Sequence, residues 1–372
     1  MRLTVYTGFP IFASWLRCSE MLKPFGLDLL GKMEREDACF ITDTTYGAAG
    51  IVAIEIALVD TLKNDGISPA GFVGHSFGEV ACGYADGKLT KAEAMKTIYI
   101  MAKLTGKFRG KMAAVELSWC EVVRLAPEGV HAVCHNGPTS TTVAGDARAV
   151  ASWITELKQQ GQLATMIEST NIAFHVPKMA QIKGRVVKSV ARAIPGKPRR
   201  RSAMWVSSSQ QDGPLEQDRT PCSAEYFAHN LTSPVSFSEA LAKVPAGAIV
   251  LELGPHSILK AIVEQATDCS AVHVAASKRG SHNNIATLLE ALRSAVGATP
   301  QKPQHVQQMN IEEQQKLRRQ HMAGSSRRSM TPTKTPNQRR HTRLGSISRF
   351  ADLTGPISNL LRFRFRFRRE SC

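Results

Sequence analysis

Ser76 stands in the run Gly74-His75-Ser76-Phe77-Gly78, followed by Glu79, between an apolar stretch, Ala70-Gly71-Phe72-Val73, and residues with a helical pattern. A serine on a sharp strand-to-helix turn is lifted out of its sheet, with its hydroxyl exposed for nucleophilic attack. Glycines on both sides are expected because side chains there would clash. The helix that follows turns its N-terminus, and the Phe77 N–H, toward the place where an oxyanion would form. A serine needs an adjacent base at neutral pH, and the chain offers 11 histidines. His75 lies inside the turn, where the backbone directs it away from the hydroxyl. His256 follows a strand end and reads either as a residue lining the site or as a helix cap. His135 belongs to a separate unit, and His305, His321 and His341 lie in the C-terminal tail. His175 remains, in Ala173-Phe174-His175-Val176-Pro177, with Pro177 stiffening the segment. In the general logic its Nε2 takes the Ser76 proton, while a third group bonding Nδ1–H sets the tautomer. Cys82, just past the turn, reads as helix packing and not as a second nucleophile.

The elements that must position these residues form an α/β pattern. A helix is predicted over 16–30, leading through Lys23-Pro24-Phe25-Gly26, and another over 44–64, ending at Asn64-Asp65-Gly66. The Phe72-Val73 strand, the turn and a helix to about Tyr84 follow, broken by Asp86-Gly87. Thr90-Lys91-Ala92-Glu93 has the form of a capping box for a helix over 90–105. Strands are predicted over 112–118, 131–136, 141–144 and 163–168, with helices over 119–126 and 147–160. That β-α-β-β-α-β order is the ferredoxin-like split unit. Strand–helix alternation then resumes. Ala248–Leu253 reads as a buried strand, with Gly254-Pro255-His256 and a new helix from Ser257. The expected organisation is therefore a discontinuous α/β body over 1–110 and 170–298, an inserted unit over 111–169, and a basic, low-complexity tail over 299–372. No internal repeat is visible.

Composition separates that tail from the rest. The chain has 372 residues and a formal charge of +16. Residues 301–372 hold 16 of the Lys and Arg against 4 Asp and Glu, so the first 300 residues carry only +4. The tail is rich in Pro, Gln, Ser, Thr and Arg, a composition that buries too little apolar surface to offset chain entropy, and it is expected to be disordered. Its end, Leu361-Arg362-Phe363-Arg364-Phe365-Arg366-Phe367-Arg368-Arg369, alternates with period two. Such a segment is able to contact nucleic acid or an acidic surface, although the preferred reading is an unfolded terminus. No run of 18 apolar residues occurs, so no membrane span is expected. The 8 cysteines are scattered without metal-ligand spacing and fit free thiols in a cytoplasmic protein. No bound cofactor or metal is expected.

Six ordered motifs carry a resemblance over roughly residues 16–295. They are Lys23-Pro24-Phe25-Gly26-Leu27, Gly71–Gly87 around the serine, Cys134-His135-Asn136, Ala173-Phe174-His175, Ser223–Tyr226 with Asn230-Leu231-Thr232-Ser233-Pro234-Val235, and Leu251-Glu252-Leu253-Gly254-Pro255-His256. In these the sequence resembles the malonyl/acetyl-CoA:acyl-carrier-protein acyltransferase domains of animal-type fatty acid synthases and related polyketide synthases. The resemblance implies an α/β-hydrolase-like body with a ferredoxin-like insertion. It also implies a ping-pong reaction in which Ser76 takes an acyl group from acyl-CoA and passes it to the phosphopantetheine thiol of a carrier protein acting in trans. His175 takes the place of general base and acid. A backbone carbonyl orients it in this family, and the matching position is Asn230. His75, Met101 and Phe174 fall at the substrate pocket.

Two departures from the family pattern stand out. Where animal enzymes carry an arginine for the malonyl carboxylate, a gap-free alignment through 74–101 places Met101, with Lys103 on roughly the opposite side of the helix. Burying a carboxylate without its bidentate partner costs several kcal/mol, so uncharged acyl groups are expected to be favoured. No Gly-rich turn bearing a glutamine, the family's second oxyanion donor, precedes the serine, and Met1–Tyr6 reads as a stand-in strand. A weak or fragmentary enzyme, acting as a binding module, is therefore one alternative. A serine esterase or thioesterase, with water replacing the thiol, is the other. The basic segment 183–201 reads either as a docking face for an acidic carrier or as a solvated helix and loop.

Overall fold

The structure is a computed structural model that describes residues 10–35, 39–209, 220–267, 270–278, 281 and 284–297, all of which fall in one compact unit. The tail expected over 299–372 and the strand expected at Met1–Tyr6 lie outside the described residues.

The chain opens with α1 (Pro10–Leu22), a 3-10 turn at Lys23–Phe25, α2 (Leu29–Glu34) and α3 (Cys39–Thr42). The single helix expected over 16–30 is thus two. Pro24 is tolerated within the 3-10 turn, and Gly26, at φ 82°, closes it in the left-handed region. The long helix α4 (Thr44–Asn64) begins at Asp43, whose carboxylate accepts from the Thr45 and Tyr46 N–H groups. It is long and apolar enough to cross a membrane, yet 67% of its most apolar window is buried inside the body. Lys91 and Ser14 both meet the Asp60 carboxylate, joining α1, α4 and the helix that Lys91 begins.

The strand β1 (Phe72–Val73) precedes the serine turn, and α5 (Gly78–Ala85) follows it. The helix α6 (Lys91–Thr105) carries the expected capping box, with Thr90 and Glu93 bonding each other's backbone N–H groups. Glu93 is also gripped by the Arg199 guanidinium, which holds its carboxyl down at about 2.

Next come β2 (Lys111–Val115), α7 (Trp119–Leu125), β3 (Val130–Gly137), β4 (Ser140–Gly145), α8 (Ala147–Gln159) and β5 (Ala164–Ile167). Their sheet order is β5-β2-β4-β3, antiparallel throughout. The helix α8 buries Val150, Trp153, Ile154 and Leu157, an i, i+3, i+4, i+7 stripe. These side chains meet Ala113, Val115 and Val143 from the strands in a core separate from that of the body.

The chain returns to the body with α9 (Lys183–Ala193), β6 (Trp205–Val206) and α10 (Ala224–Thr232), followed by β7 (Val235–Ser236) and α11 (Phe237–Leu241). The strand β6 pairs in parallel with β1, while β7 adds in parallel to β3 at the edge of the β5-β2-β4-β3 sheet. Last come β8 (Ile249–Glu252), α12 (Lys260–Ala266), β9 (Val272–Ala275) and α13 (Asn284–Gly297). Two expectations change here. The strand β8 is half-buried, not buried, since β9 is its only strand partner among the described residues. The helix expected from Ser257 begins at Lys260, because the Glu252 carboxylate captures the Ile258 and Leu259 N–H groups and the Ser257 hydroxyl in a loop.

The helix α7 starts at a second capping box, Ser118 with Glu121. Ser118→Ala removes an N-cap and is expected to cost about 1 kcal/mol, read as a lower urea midpoint at unchanged slope. An unmoved midpoint would show that the cap adds nothing.

Candidate active site

Among the described residues, four other than glycine have positive φ, on the serine turn or on the loop that leads to His175: Ser76 at 54°, Thr170 at 54°, Asn171 at 57° and His175 at 61°. Each is strained on the order of 1 kcal/mol. Ser76 tops the turn between β1 and α5, where Gly78 N–H donates to the His75 carbonyl at 2.9 Å and Glu79 N–H to that of Ser76 at 3.1 Å. Those bonds tighten the helix start so far that a Cβ on Gly74 would meet Glu79 N at 2.4 Å. Gly74 is therefore required by close approach. Gly78 is not: a Cβ there meets nothing within 4 Å, so only one of the two flanking glycines is sterically demanded.

His175 arrives on the loop that links β5 to the 3-10 turn Pro177–Ile182. Backbone bonds from Gly110 N–H to the Asn171 carbonyl, at 3.0 Å, and from Ala173 N–H to the Phe108 carbonyl, at 2.9 Å, clamp that loop. The Ser169 hydroxyl bonds the Ile172 carbonyl, and Thr170 meets Thr44 at the start of α4. The outcome is a hydrogen bond of 2.7 Å between Ser76 Oγ and His175 Nε2. On its other side, His175 Nδ1 donates to the Ser233 carbonyl at 2.9 Å. A carbonyl only accepts, so Nδ1 carries the hydrogen and Nε2 is left as acceptor for the Ser76 hydroxyl. The orienting carbonyl falls three residues beyond the Asn230 expected. The Asn230 backbone acts on the ring more weakly, and the Asn230 Oδ1 is buried without a hydrogen-bond partner. The cause is the end of α10: its last turn carries the Ser233 carbonyl to the imidazole.

His175 is 2% exposed. Burial pushes its pKa down to about 4, outweighing the Ser233 bond, with nearby His75 adding to the fall. The ring is neutral at pH 7, the state that accepts a proton.

Glu79 braces the turn from below. It is 0% exposed and accepts from Trp205 Nε1 at 2.6 Å, the Tyr226 hydroxyl at 2.6 Å, and Ser208 through both its N–H, at 2.6 Å, and its hydroxyl, at 2.9 Å. Burial raises its pKa while the four donors pull the other way. The Ser208 hydroxyl shares its one hydrogen between Glu79 and the Gly74 carbonyl, so a single carboxylate and its donors gather β6, α10 and the serine turn. The sequence named Glu79 as part of the motif without a role. Its spacing from Ser76, one helical turn, was the available signal.

The remaining candidates divide. Phe77 and Phe174 meet edge to face, their centroids 5.5 Å apart. His75 turns away from the Ser76 hydroxyl, as expected, and bonds Asn136 Oδ1 at 2.9 Å. Met101 is fully buried in the body core that also takes in Ala173 and Val176, the neighbours of Phe174 and His175. No hydrogen bond or ring contact joins it to the pair. Lys103 is exposed and bonds the Tyr99 hydroxyl of its own helix at 2.7 Å. The buried Cys82 thiol is pushed well above its ordinary pKa and stays inert. Among the described residues no His, Cys, Asp and Glu cluster fits a metal ion.

A neutral imidazole with its tautomer set by a carbonyl, bonded to a serine on a strained strand-to-helix turn, is an arrangement able to activate a serine nucleophile. The chain belongs to the acyl transferase domain family, which matches residues 3–299. The highly reducing polyketide synthase sphB of Aspergillus fumigatus is 35% identical over 260 residues, which cover 66% of this chain and 10% of the synthase. The highly reducing polyketide synthase PKS6 of Gibberella zeae is 29% identical over 311 residues, 76% of this chain and 12% of that one. The chain therefore spans about a tenth of the length of the curated relatives it matches. Among solved structures, a loading acyltransferase from the avermectin modular polyketide synthase superposes with a TM-score of 0.66 at 21% identity, over 78% of this chain and 94% of its own. The acyltransferase domain of the polyketide synthase PpsC of Mycobacterium tuberculosis gives 0.64 at 20%, over 74% and 85%. Both share its mixed α/β fold.

With His175 depressed to about 4, an unfolded chain binds a proton at this ring below pH 6.5 while the folded one does not until about pH 4. Its contribution to stability is complete above 6.5 and is lost as pH falls toward 4. Chemistry at Ser76 that draws on this base is expected to keep its acid limb near pH 4 in single-turnover acylation. A limb at 6.5 would contradict the buried, neutral ring.

Proposed function

We propose that this chain transfers an acyl group from acyl-CoA to the phosphopantetheine thiol of an acyl carrier protein, by way of an ester on Ser76, in fatty acid or polyketide synthesis. The observation that carries the reading is the hydrogen bond of 2.7 Å from Ser76 to a histidine whose other nitrogen is engaged by a carbonyl. Ser76 Oγ attacks the thioester carbonyl as its proton passes to His175 Nε2. The C–S bond breaks, and the departing CoA sulfur takes that proton. In the second half the pantetheine thiol gives its proton to His175 and attacks the ester, and the proton returns to Ser76 Oγ. The Phe77 N–H, at the head of α5, serves as an oxyanion donor. The site needs no resident cofactor for these steps. The free cysteines suit a cytoplasmic setting.

Finer points of the same reading draw on particular features. The strand order β5-β2-β4-β3, with α7 and α8 covering it, supports a ferredoxin-like subdomain over 111–169 inserted into a body over 1–110 and 170–298. The motif set quoted from the sequence favours the animal-type fatty acid synthase branch. The basic tail, 299–372, is assigned no part in acylation.

Acyl preference follows from Met101. An uncharged, fully buried thioether stands where malonyl-specific relatives are read to hold an arginine, and Lys103 is engaged on the exposed side. Acylation by acetyl-CoA is expected to exceed that by malonyl-CoA by about a hundredfold, roughly 1.4 kcal/mol for each factor of ten. Equal rates in single-turnover assays would sink that preference.

The transfer itself is tested by intact mass after incubation with acetyl-CoA. One adduct per chain is expected, absent in Ser76→Ala and discharged by added carrier protein. Hydrolysis indifferent to the carrier would favour an esterase, and no adduct at all would favour a binding module.

A further inference from the structure

We propose that Asn136 is a positioning residue for the Ser76–His175 pair, holding His75 as its Nε2–H tautomer and with it the turn that carries Ser76. The proposal rests on the acyl-transfer reading above.

Asn136 lies at the end of β3 and is 3% exposed. In the β3–β4 ladder His135 pairs with Thr141 and Gly137 with Ser140, so Asn136 is the extra residue of a bulge. A bulge re-aims a side chain, and bulges gather beside active sites. Here the amide leaves the ladder and reaches His75, with Asn136 Oδ1 2.9 Å from His75 Nε2. The Asn136 Nδ2 donates to Thr142 Oγ1 at 3.0 Å, and the Thr142 hydroxyl also bonds the Cys134 thiol. With its NH₂ so engaged, Asn136 turns its acceptor oxygen to His75, and the hydrogen must sit on Nε2. The Phe237 ring stands edge-on at 4.8 Å and limits rotation of the imidazole.

Two consequences reach the reacting atoms. The His75 ring is pinned one residue before Ser76, whose left-handed backbone has to be held by its surroundings. His75 also stays neutral, as burial dictates, and its charge matters because a cation there would oppose proton uptake by His175. The same strand reaches the other half of the pair. Cys134 and His135 pair with Val235 and Ser236, just beyond the Ser233 carbonyl that orients His175. One strand of the inserted unit therefore touches the serine through His75 and the histidine through Ser233.

The test is single-turnover acylation of the full chain by acetyl-CoA, together with the ¹⁵N spectrum of histidine-labelled protein, the His75 signals assigned with His75→Gln. Asn136→Ala is expected to lower the saturating acylation rate tenfold or more per folded chain, with the half-saturating acetyl-CoA concentration within threefold of wild type. Thr142→Val, which is nearly isosteric and spares the fold, is expected to lower the rate about threefold. Wild-type His75 should show one neutral Nε2–H tautomer at pH 7, replaced by a mixture in Asn136→Ala. Wild-type His75 found as Nδ1–H or as imidazolium would overturn the proposal, as would Asn136→Ala acylating within twofold of wild type. If wild-type Ser76 takes no acyl group, the acyl-transfer reading fails, and the His75 spectrum still decides the tautomer.

Discussion

The hydrogen bond between Ser76 and His175 joins two residues that both hold left-handed backbone. Neither conformation is favourable alone. Each persists because the surrounding structure fixes it on several sides at once, and most of the body can be read as the means of doing so. On the serine side, the close approach of α5 to Gly74 and the four donors on Glu79 leave the turn one shape. On the histidine side, the Phe108, Asn171 and Ile172 carbonyls bind the loop before it, and Pro177 starts the turn after it.

The His175 imidazole is oriented by a carbonyl and not by a carboxylate. A buried Asp beside His175 would stabilise the imidazolium and raise its pKa, whereas the Ser233 carbonyl fixes the tautomer with only a dipole. Burial then dominates and keeps the ring neutral. Strain and low basicity are costs carried by the large apolar core around α4, α6 and α10.

Local patterns were legible in the sequence wherever one element's own residues decide the outcome. Both ends of α4, the capping box of α6 at Thr90 and Glu93, and the six elements from β2 to β5 follow from periodicity and local residue type, whereas the caps at Asp43 and Ser118 emerged only in the structure. Ser76 and His175 could be paired because the chemistry of a serine nucleophile demands a base, although 99 positions separate them. What was not legible depends on long-range approach. The orienting carbonyl moved from Asn230 to Ser233 because backbone groups leave no mark in residue type. Gly78 proved sterically free where Gly74 is not, since only the folded helix start reveals what stands above each. The reach of Asn136 to His75 required the bulge in β3, and the Glu252 capture of the 257–259 loop required a fold back onto β8.

The central claim, that His175 activates Ser76 through the bond seen here, is most directly tested without any CoA substrate. The measurement is the rate at which a fluorophosphonate labels Ser76 at pH 7, compared between wild type and His175→Ala. A fall of about a hundredfold or more, the usual worth of a general base, with the fold intact by circular dichroism, is the result this account requires. Labelling of the two proteins at the same rate would contradict it.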